Sequence, residues 1–362
     1  MNAYVVDRNG LMENIRILQE KAAGTPIYGV IKGNGYGLGL VPMAEALSQA
    51  GIQRFAVTEL WEIRALREAG FETQEILMMR ATCIPEELSQ LLELGATATV
   101  GSIECAEAME QTAAAAGKCF PCHVKIDTGM GRYGFLPENT EDILAVYRME
   151  HLLPTGIYTH FHSAFSSESD TRSQFAAFSK ALDTLEQAGI TVGVRHCCNS
   201  SAFLKYPEMY LDAVRLGSAL LGRLSFPGEM GLTRLGWCRS QVELIREIPK
   251  GHTVGYGAAW RAKRPTKIAV CGVGYYHGFG TEKGNDLFRF RDCLRGGLGY
   301  VKAFLKKKAF YGTVNGKRAR VLGHIGMVQT ILDVTDIPCQ VGDEIRLEIN
   351  PLLVKGMDVT FE

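Results

Sequence analysis

The sequence predicts an α/β protein in two parts. An N-terminal (β/α)8, TIM-like barrel is expected over residues 1–225, and a mostly antiparallel β domain over residues 226–362. Three observations carry this. Short apolar runs alternate with amphipathic stretches through the first part, as in strand–helix repeats. Short β-branched runs separated by Gly, Asn, Asp and Pro fill the second. The character changes at Phe226-Pro227-Gly228. The chain has 362 residues, more than one ordinary domain, and 46% hydrophobic residues, enough for a sizeable core.

Eight candidate barrel strands lie at 27–32, 54–58, 76–79, 97–100, 121–126, 156–161, 194–197 and 213–216. Helical stretches lie between them at 41–49, 60–69, 85–94, 103–116 and 170–188. In the last, Phe175, Phe178, Leu182 and Leu185 fall near 3.6-residue spacing and give one apolar face. A doubly wound open sheet is the competing architecture, but the polar residues that follow many strands favour the barrel. In the second part, strands are expected at 242–245, 267–270, 319–322, 330–334 and 344–349. Asn315-Gly316 signals a tight hairpin. Residues 285–308 carry many Arg and Lys between glycines, and a long solvated loop with one short helix is expected there.

Lys+Arg and Asp+Glu both number 39, a net charge of zero. No charge excess points to nucleic acid or to an acidic membrane surface, so neither is expected as a partner. No signal peptide and no apolar run of membrane-spanning length is apparent, and a cytoplasmic location is expected. The ten cysteines form no regular framework and are expected to be reduced. Cys119-Phe-Pro-Cys122 has C-x-x-C spacing but precedes a strand and lacks a second ligand pair.

The most informative stretch runs from Ile27 to Gly39. An apolar run ends on Lys32, and a loop with several glycines and Tyr36 follows. A lysine at the end of a buried parallel strand sits where α/β folds keep ligands. Partly desolvated, it loses its proton readily and forms a Schiff base with an aldehyde. The glycines admit an anion to backbone amides, and Tyr36 adds a hydroxyl. Aldehyde plus anion describes pyridoxal 5′-phosphate, PLP. A snorkelling lysine before an ordinary turn is the alternative.

A second motif runs from His123 to Gly134, a strand entering a glycine-rich turn. Arg132 there pairs with a carboxylate or phenolate, or satisfies loop carbonyls. Asp127 organises the turn. In Tyr158-Thr-His160-Phe-His162, strand alternation would place both histidines on one face. His-x-His raises a metal site, but no matching ligand constellation stands out, so no metal is expected and stacking on a cofactor ring is preferred for His160. Asn199-Ser200 and Gly217-Ser218 follow strands seven and eight, the usual phosphate position of such barrels. Arg215, inside a strand, needs a specific partner, and a heteroaromatic ring nitrogen is one candidate. Tyr256 between glycines and the Gly274-Tyr275-Tyr276 segment are ordinary turns if read alone.

Taken together, these motifs resemble the alanine racemases, PLP enzymes of fold type III, over nearly the whole chain. The resemblance implies that Lys32 holds PLP and is one of two catalytic bases, with Tyr256, from the other subunit of a homodimer, as the second on the opposite face. It implies Tyr36, Asn199, Ser200, Gly217 and Ser218 around the cofactor, Arg215 at the ring nitrogen, and Arg132 at its phenolic oxygen. His160 would pack beside the ring or assist Tyr256. Arg132, Met327 and Tyr275 would meet the substrate, and Lys125 would be carbamylated. The implied role is supply of D-alanine for peptidoglycan. The chain also departs from that pattern. Gly326-Met327-Val328 stands where the family carries Cys-Met-Asp, and His324 replaces a common arginine. Ala164-Phe165 replaces an acidic residue, and a usual C-terminal tyrosine is missing near Asn350. These changes leave open serine or a broader substrate, or a degenerate PLP-binding homologue. A decarboxylase of the same fold is disfavoured by Arg215.

Overall fold

The computed structural model describes residues 2–226, 228, 230–282, 290–305 and 309–362. The chain forms two compact units, Arg8–Leu235 and Met1–Asp7 with Gly236–Glu362. The change of unit therefore falls ten residues after the expected one. The first residues also leave the barrel. Strand β1 (Ala3–Val6) pairs antiparallel with β10 (Trp237–Gln241) and parallel with β19 (Asp358–Phe361). Tyr4, Val5 and Val6 are fully buried there. A four-residue strand whose partners lie more than 200 residues away leaves no local periodicity to read.

The barrel strands are β2 (Ile27–Val30), β3 (Arg54–Val57), β4 (Glu75–Ala81), β5 (Thr97–Val100), β6 (Phe120–Lys125), β7 (Leu152–Tyr158), β8 (Val194–His196) and β9 (Val214–Leu216). They pair in parallel in the order β8-β7-β6-β5-β4-β3-β2-β9. A parallel bridge between His196 and Ala213 closes the ring. All eight strands occur where the apolar runs lie. Helices at Leu40–Gln49, Leu60–Glu68, Pro85–Glu93, Ile103–Ala116 and Glu168–Gln187 match the amphipathic stretches. In the last, Ser167 caps the N-terminus, and Phe178, Leu182 and Leu185 are buried. Tyr28, Val30, Ala56, Leu77 and Ala213 pack together in the barrel core.

The second unit holds a nine-stranded sheet. Besides β1, β10 and β19 it contains β11 (Leu244–Ile248), β14 (Thr266–Cys271), β15 (Tyr311–Val314), β16 (Lys317–Val321), β17 (Thr330–Asp333) and β18 (Glu344–Leu347). The order is β11-β14-β17-β16-β15-β18-β10-β1-β19, with β12 (Thr253–Val254) and β13 (Trp260–Arg261) as a separate hairpin. All pairs but β1–β19 are antiparallel. Asn315 (φ 48°) and Gly316 (φ 75°) form the expected tight turn between β15 and β16. The stretch 285–308 departs from expectation. Phe290–Leu305 is a 16-residue helix rather than a short one. Residues 283–289 and 306–308 lie outside the described residues.

Candidate active site

The end of β2 is built by an unusual backbone. After Lys32, Gly33, Asn34, Gly35 and Tyr36 all take left-handed conformations, with φ of 63°, 55°, 63° and 56°. Such a run costs L-residues about 1–2 kcal/mol each, which glycine avoids. The turn is closed by Gly35 N–H to the Ile31 carbonyl at 2.8 Å and Gly37 N–H to the Gly33 carbonyl at 2.9 Å. Glu62, fully buried, braces it from outside. Its Oε1 accepts the Asn34 N–H at 3.0 Å, and its Oε2 accepts the N–H groups of Thr58 (3.0 Å) and Glu59 (3.1 Å). Glu62 escaped the sequence reading. The only trace it leaves is an acidic residue on an otherwise apolar helix face.

Lys32 opens into a cavity of about 290 Å³ that is also lined by Lys125, Arg132, Tyr133, Tyr158 and His160. Burial, then the Arg132 and Arg215 charges, pull the Lys32 amine below its usual pKa, against a smaller opposing pull from Glu62. Lys125 is fully buried at the end of β6, its amine 5.2 Å from the Tyr133 ring and 5.5 Å from the Tyr158 ring. Burial, then Arg132 and Arg215, lower its pKa to about 8. His160 sits well below the usual imidazole value, through burial and then Arg215, Lys125, Lys32 and Arg132, and is neutral. Asp127 organises the following turn as expected. Its carboxylate accepts the N–H groups of Gly129, Met130, Gly131 and Arg132. Burial raises its pKa, but these four donors outweigh burial and hold it low.

Arg215 lies fully inside the barrel with its guanidinium 5.1 Å from the Tyr158 ring. Nη1 donates to His196 Nδ1 (2.7 Å) and the His196 carbonyl (3.0 Å), and Nη2 to the carbonyls of Thr159 (2.7 Å) and Cys197 (3.2 Å). Both Nη groups are thus committed, which leaves the Nε–H. Arginine cannot accept, so His196 Nδ1 is the acceptor and its Nε2 carries the hydrogen. That Nε2 donates to His123 Nδ1 at 2.9 Å. His123 Nε2 then carries its own hydrogen and faces Glu75 at 3.6 Å. Burial, then Arg215, lower both rings, His123 to about 3. His123 and His196 were not singled out from sequence, because their value comes from Arg215 on another strand.

Tyr36, Ser200 and Gly217 come together at one point. A Cβ on Gly217 would lie 2.3 Å from the Tyr36 hydroxyl. Ser200 Oγ accepts the N–H groups of Gly217 (3.0 Å) and Ala219 (3.2 Å). Ser218 follows directly, half-buried. Asn199 is spent on structure. Its Oδ1 caps the helix Ser200–Lys205 through Ser201 and Ala202, and its Nδ2 donates to the Phe161 carbonyl.

His160 and His162 do not share a strand face. β7 ends at Tyr158, so alternation stops before either histidine. His160 lines the cavity, whereas the His162 ring bonds Ser163 and the His162 backbone N–H donates to Gln174 Oε1.

In the second unit, Tyr256 stands 76% exposed on the short turn Tyr256–Ala258, between Gly255 (φ 78°) and Gly257 (φ 65°). A Cβ on Gly255 would press on the His324 backbone at 2.9 Å. Tyr256 shares a cavity of about 510 Å³ with His324, Met327 and Val328. The Tyr275 N–H donates to the Gly326 carbonyl at 3.0 Å, which ties that half-exposed tyrosine to the Met327 segment.

A closed parallel barrel carrying a desolvated lysine at a strand end, followed by an antiparallel β unit, defines a two-domain barrel enzyme. Known proteins narrow this. Residues 6–225 match the alanine racemase N-terminal domain family, and residues 237–351 match the alanine racemase C-terminal domain family. The chain is 33% identical over 365 residues to an alanine racemase of Desulforamulus reducens, covering 99% of this chain and 90% of that protein. An alanine racemase of Methanococcus maripaludis is 31% identical, covering 94% and 86%. Among solved structures, alanine racemase of Clostridium difficile superposes with a TM-score of 0.82 at 25% identity, covering 98% of this chain and 93% of that one. The enzyme of Streptomyces lavendulae shares the fold with a TM-score of 0.83. The chain belongs to the alanine racemase family and is an isomerase.

Proposed function

We propose that this enzyme interconverts L- and D-alanine with PLP, using Lys32 and Tyr256 as two bases on opposite faces of the substrate. The observation that carries this is the convergence of Lys32, Lys125, Arg132 and neutral His160 on one cavity, with Arg215 near enough for its charge to lower the Lys32 amine. The donor set fits an anionic aldehyde. Four basic side chains, Lys32, Arg80, Lys125 and Arg132, line the cavity against the single carboxylate of Glu59, the depressed-pKa amine of Lys32 suits carbonyl attack, and Tyr36, Ser200 and Gly217 gather where a phosphate would lie. When bound, PLP supplies the attachment point and a ring that spreads carbanion charge. Everything else falls to the chain. Lys32 binds the cofactor and moves one proton at Nζ. Arg215 would offer the ring nitrogen an Nε–H that it does not surrender, which would leave that nitrogen unprotonated. Arg132 would orient the phenolic oxygen and the substrate carboxylate, which Met327 and Tyr275 of a second copy would also meet. Ser218 joins the phosphate donors.

Tyr256 would move the second proton at its hydroxyl, contributed by a second copy of the chain in a homodimer. We place a carbamate on Lys125, whose neutral amine fraction at pH near 8 favours reaction with carbon dioxide. A carbon-13 carbamate resonance in labelled bicarbonate, lost in Lys125→Met, checks it. The product would be D-alanine for peptidoglycan. Val328 and His324 beside Tyr256 favour a second reading, a racemase of serine or a larger amino acid.

The experiment is loss of optical activity from L-alanine, L-serine and L-lysine with added PLP, followed by recovery of the D form. Loss with alanine foremost supports the proposal, and loss with a larger substrate foremost moves it to the second reading. PLP bound with no loss at all overturns both in favour of a degenerate binder.

A further inference from the structure

The helix Phe290–Leu305 presents an apolar stripe to solvent. Phe290, Leu294, Leu298, Val301 and Leu305 recur at intervals of four, four, three and four residues and are 52–79% exposed. That spacing aligns them along one face. Contiguous exposed apolar surface of this kind marks an interaction site. Arg295 and Lys302, seven residues apart, lie along one edge of the stripe and are exposed. Between Arg289 and Lys308, seven of the residues are Arg or Lys and Asp292 alone is acidic, a net charge of +6. The whole chain is neutral, so that balance hides a strong local separation.

We propose that this helix lies in the plane of an anionic lipid surface, with its apolar stripe in the acyl boundary and its basic edge at the headgroups. Large apolar residues on one face with Lys and Arg beside them are the composition of an interfacial helix. Sixteen residues are too few to span a bilayer, and no helix among the described residues is long and apolar enough to do so. Gly296, Gly297 and Gly299 each cost the helix about 1 kcal/mol in water. A surface that withholds water from the backbone favours the helix despite them. A nucleic acid would match the charge but has no use for a five-residue apolar stripe. A second copy that packed this helix against its own counterpart would set positive charge against positive charge. The proposal does not rest on the racemase reading.

The test is co-sedimentation of the full chain with vesicles of phosphatidylcholine alone and of phosphatidylcholine with phosphatidylglycerol. Binding is expected only to the anionic vesicles, and it should fall with added salt. Leu294→Asp with Leu298→Asp should abolish binding without moving the unfolding midpoint, since both side chains are exposed. Arg295→Gln with Lys302→Gln should weaken binding about 10- to 30-fold. Absence of binding to either vesicle overturns the proposal, as does binding that the Leu294 and Leu298 changes leave intact. Dissociation of an oligomer by those changes without lipid also overturns it, because a second chain then covers the stripe. So does vesicle-independent capture by nucleic acid or a soluble acidic protein.

Discussion

Two tyrosines in this molecule sit in turns built from the same materials, and they end in opposite states. Tyr36 and Tyr256 each lie among glycines with positive φ. Tyr36 is packed against Gly217, and burial raises its pKa to about 12. Tyr256 is 76% exposed on its turn. The difference lies in what braces each turn. Glu62 accepts the Asn34 N–H of the first and is itself held by the N–H groups of Thr58 and Glu59, whereas the second leans on backbone contacts at Gly255 and Gly323. Glycine supplies the shape, and a buried carboxylate decides whether the shape is rigid. The turn after Lys32 is held by the chain's own hydrogen bonds, whereas the turn at Tyr256 lies open to solvent.

The sharpest way to break this contrast is substitution at the two proposed bases. Lys32→Ala should abolish racemisation. Tyr256→Phe should slow it by about 10²–10⁴ while stability stays within about 0.5 kcal/mol. It should still exchange the α-hydrogen of one enantiomer in heavy water. Exchange of both enantiomers would show that Tyr256 is not a base. Glu62→Ala comes next. Loss of a buried acceptor of three N–H groups should cost about 3 kcal/mol in urea unfolding and weaken PLP binding. An unchanged midpoint would remove Glu62 as the brace.

Smaller effects come from pH. The folded pKa of His123 lies below its unfolded value, so only the unfolded chain gains a proton as pH falls from 6.5 towards about 3. From pH 7 to pH 5 this residue alone should remove about 2 kcal/mol of stability, and His123→Asn should flatten that slope by about one proton. Lys125 acts at the other end. Its lowered folded pKa burdens the native state fully below about 8 and progressively less as pH rises towards 10.5. In bicarbonate-free buffer, raising pH from 7.5 to 9 should recover about 1 kcal/mol, and Lys125→Met should remove the effect.

Much of the fold was legible because its signals are local. Ile27–Val30 reads as a strand because a buried parallel strand is apolar on both faces, and Asn315-Gly316 reads as a turn because both residues accept positive φ. What escaped depends on distance in sequence. β1 forms by pairing with β10 and β19, both far along the chain, and β19 by pairing with β1. Glu62 gains its role from backbone donors at Asn34, Thr58 and Glu59, and His123 from a ring on β8. The strand before His160 was expected at 156–161 but runs from Leu152 to Tyr158, because nothing in Tyr158-Thr-His-Phe-His marks where pairing stops.

The four left-handed residues after Lys32 also bear on mirror symmetry. Their backbone angles suit amino acids of the opposite chirality, and the chain meets that demand with glycine, the one achiral residue of ribosomal synthesis, at Gly33 and Gly35, and with L-residues that bear the strain at Asn34 and Tyr36. A semisynthetic chain carrying a D-residue at Gly33 would narrow the unfolded ensemble without disturbing those angles, and should gain about 0.4–1 kcal/mol. In this protein the loop beside the reactive lysine is, in backbone terms, a short piece of mirror-image protein.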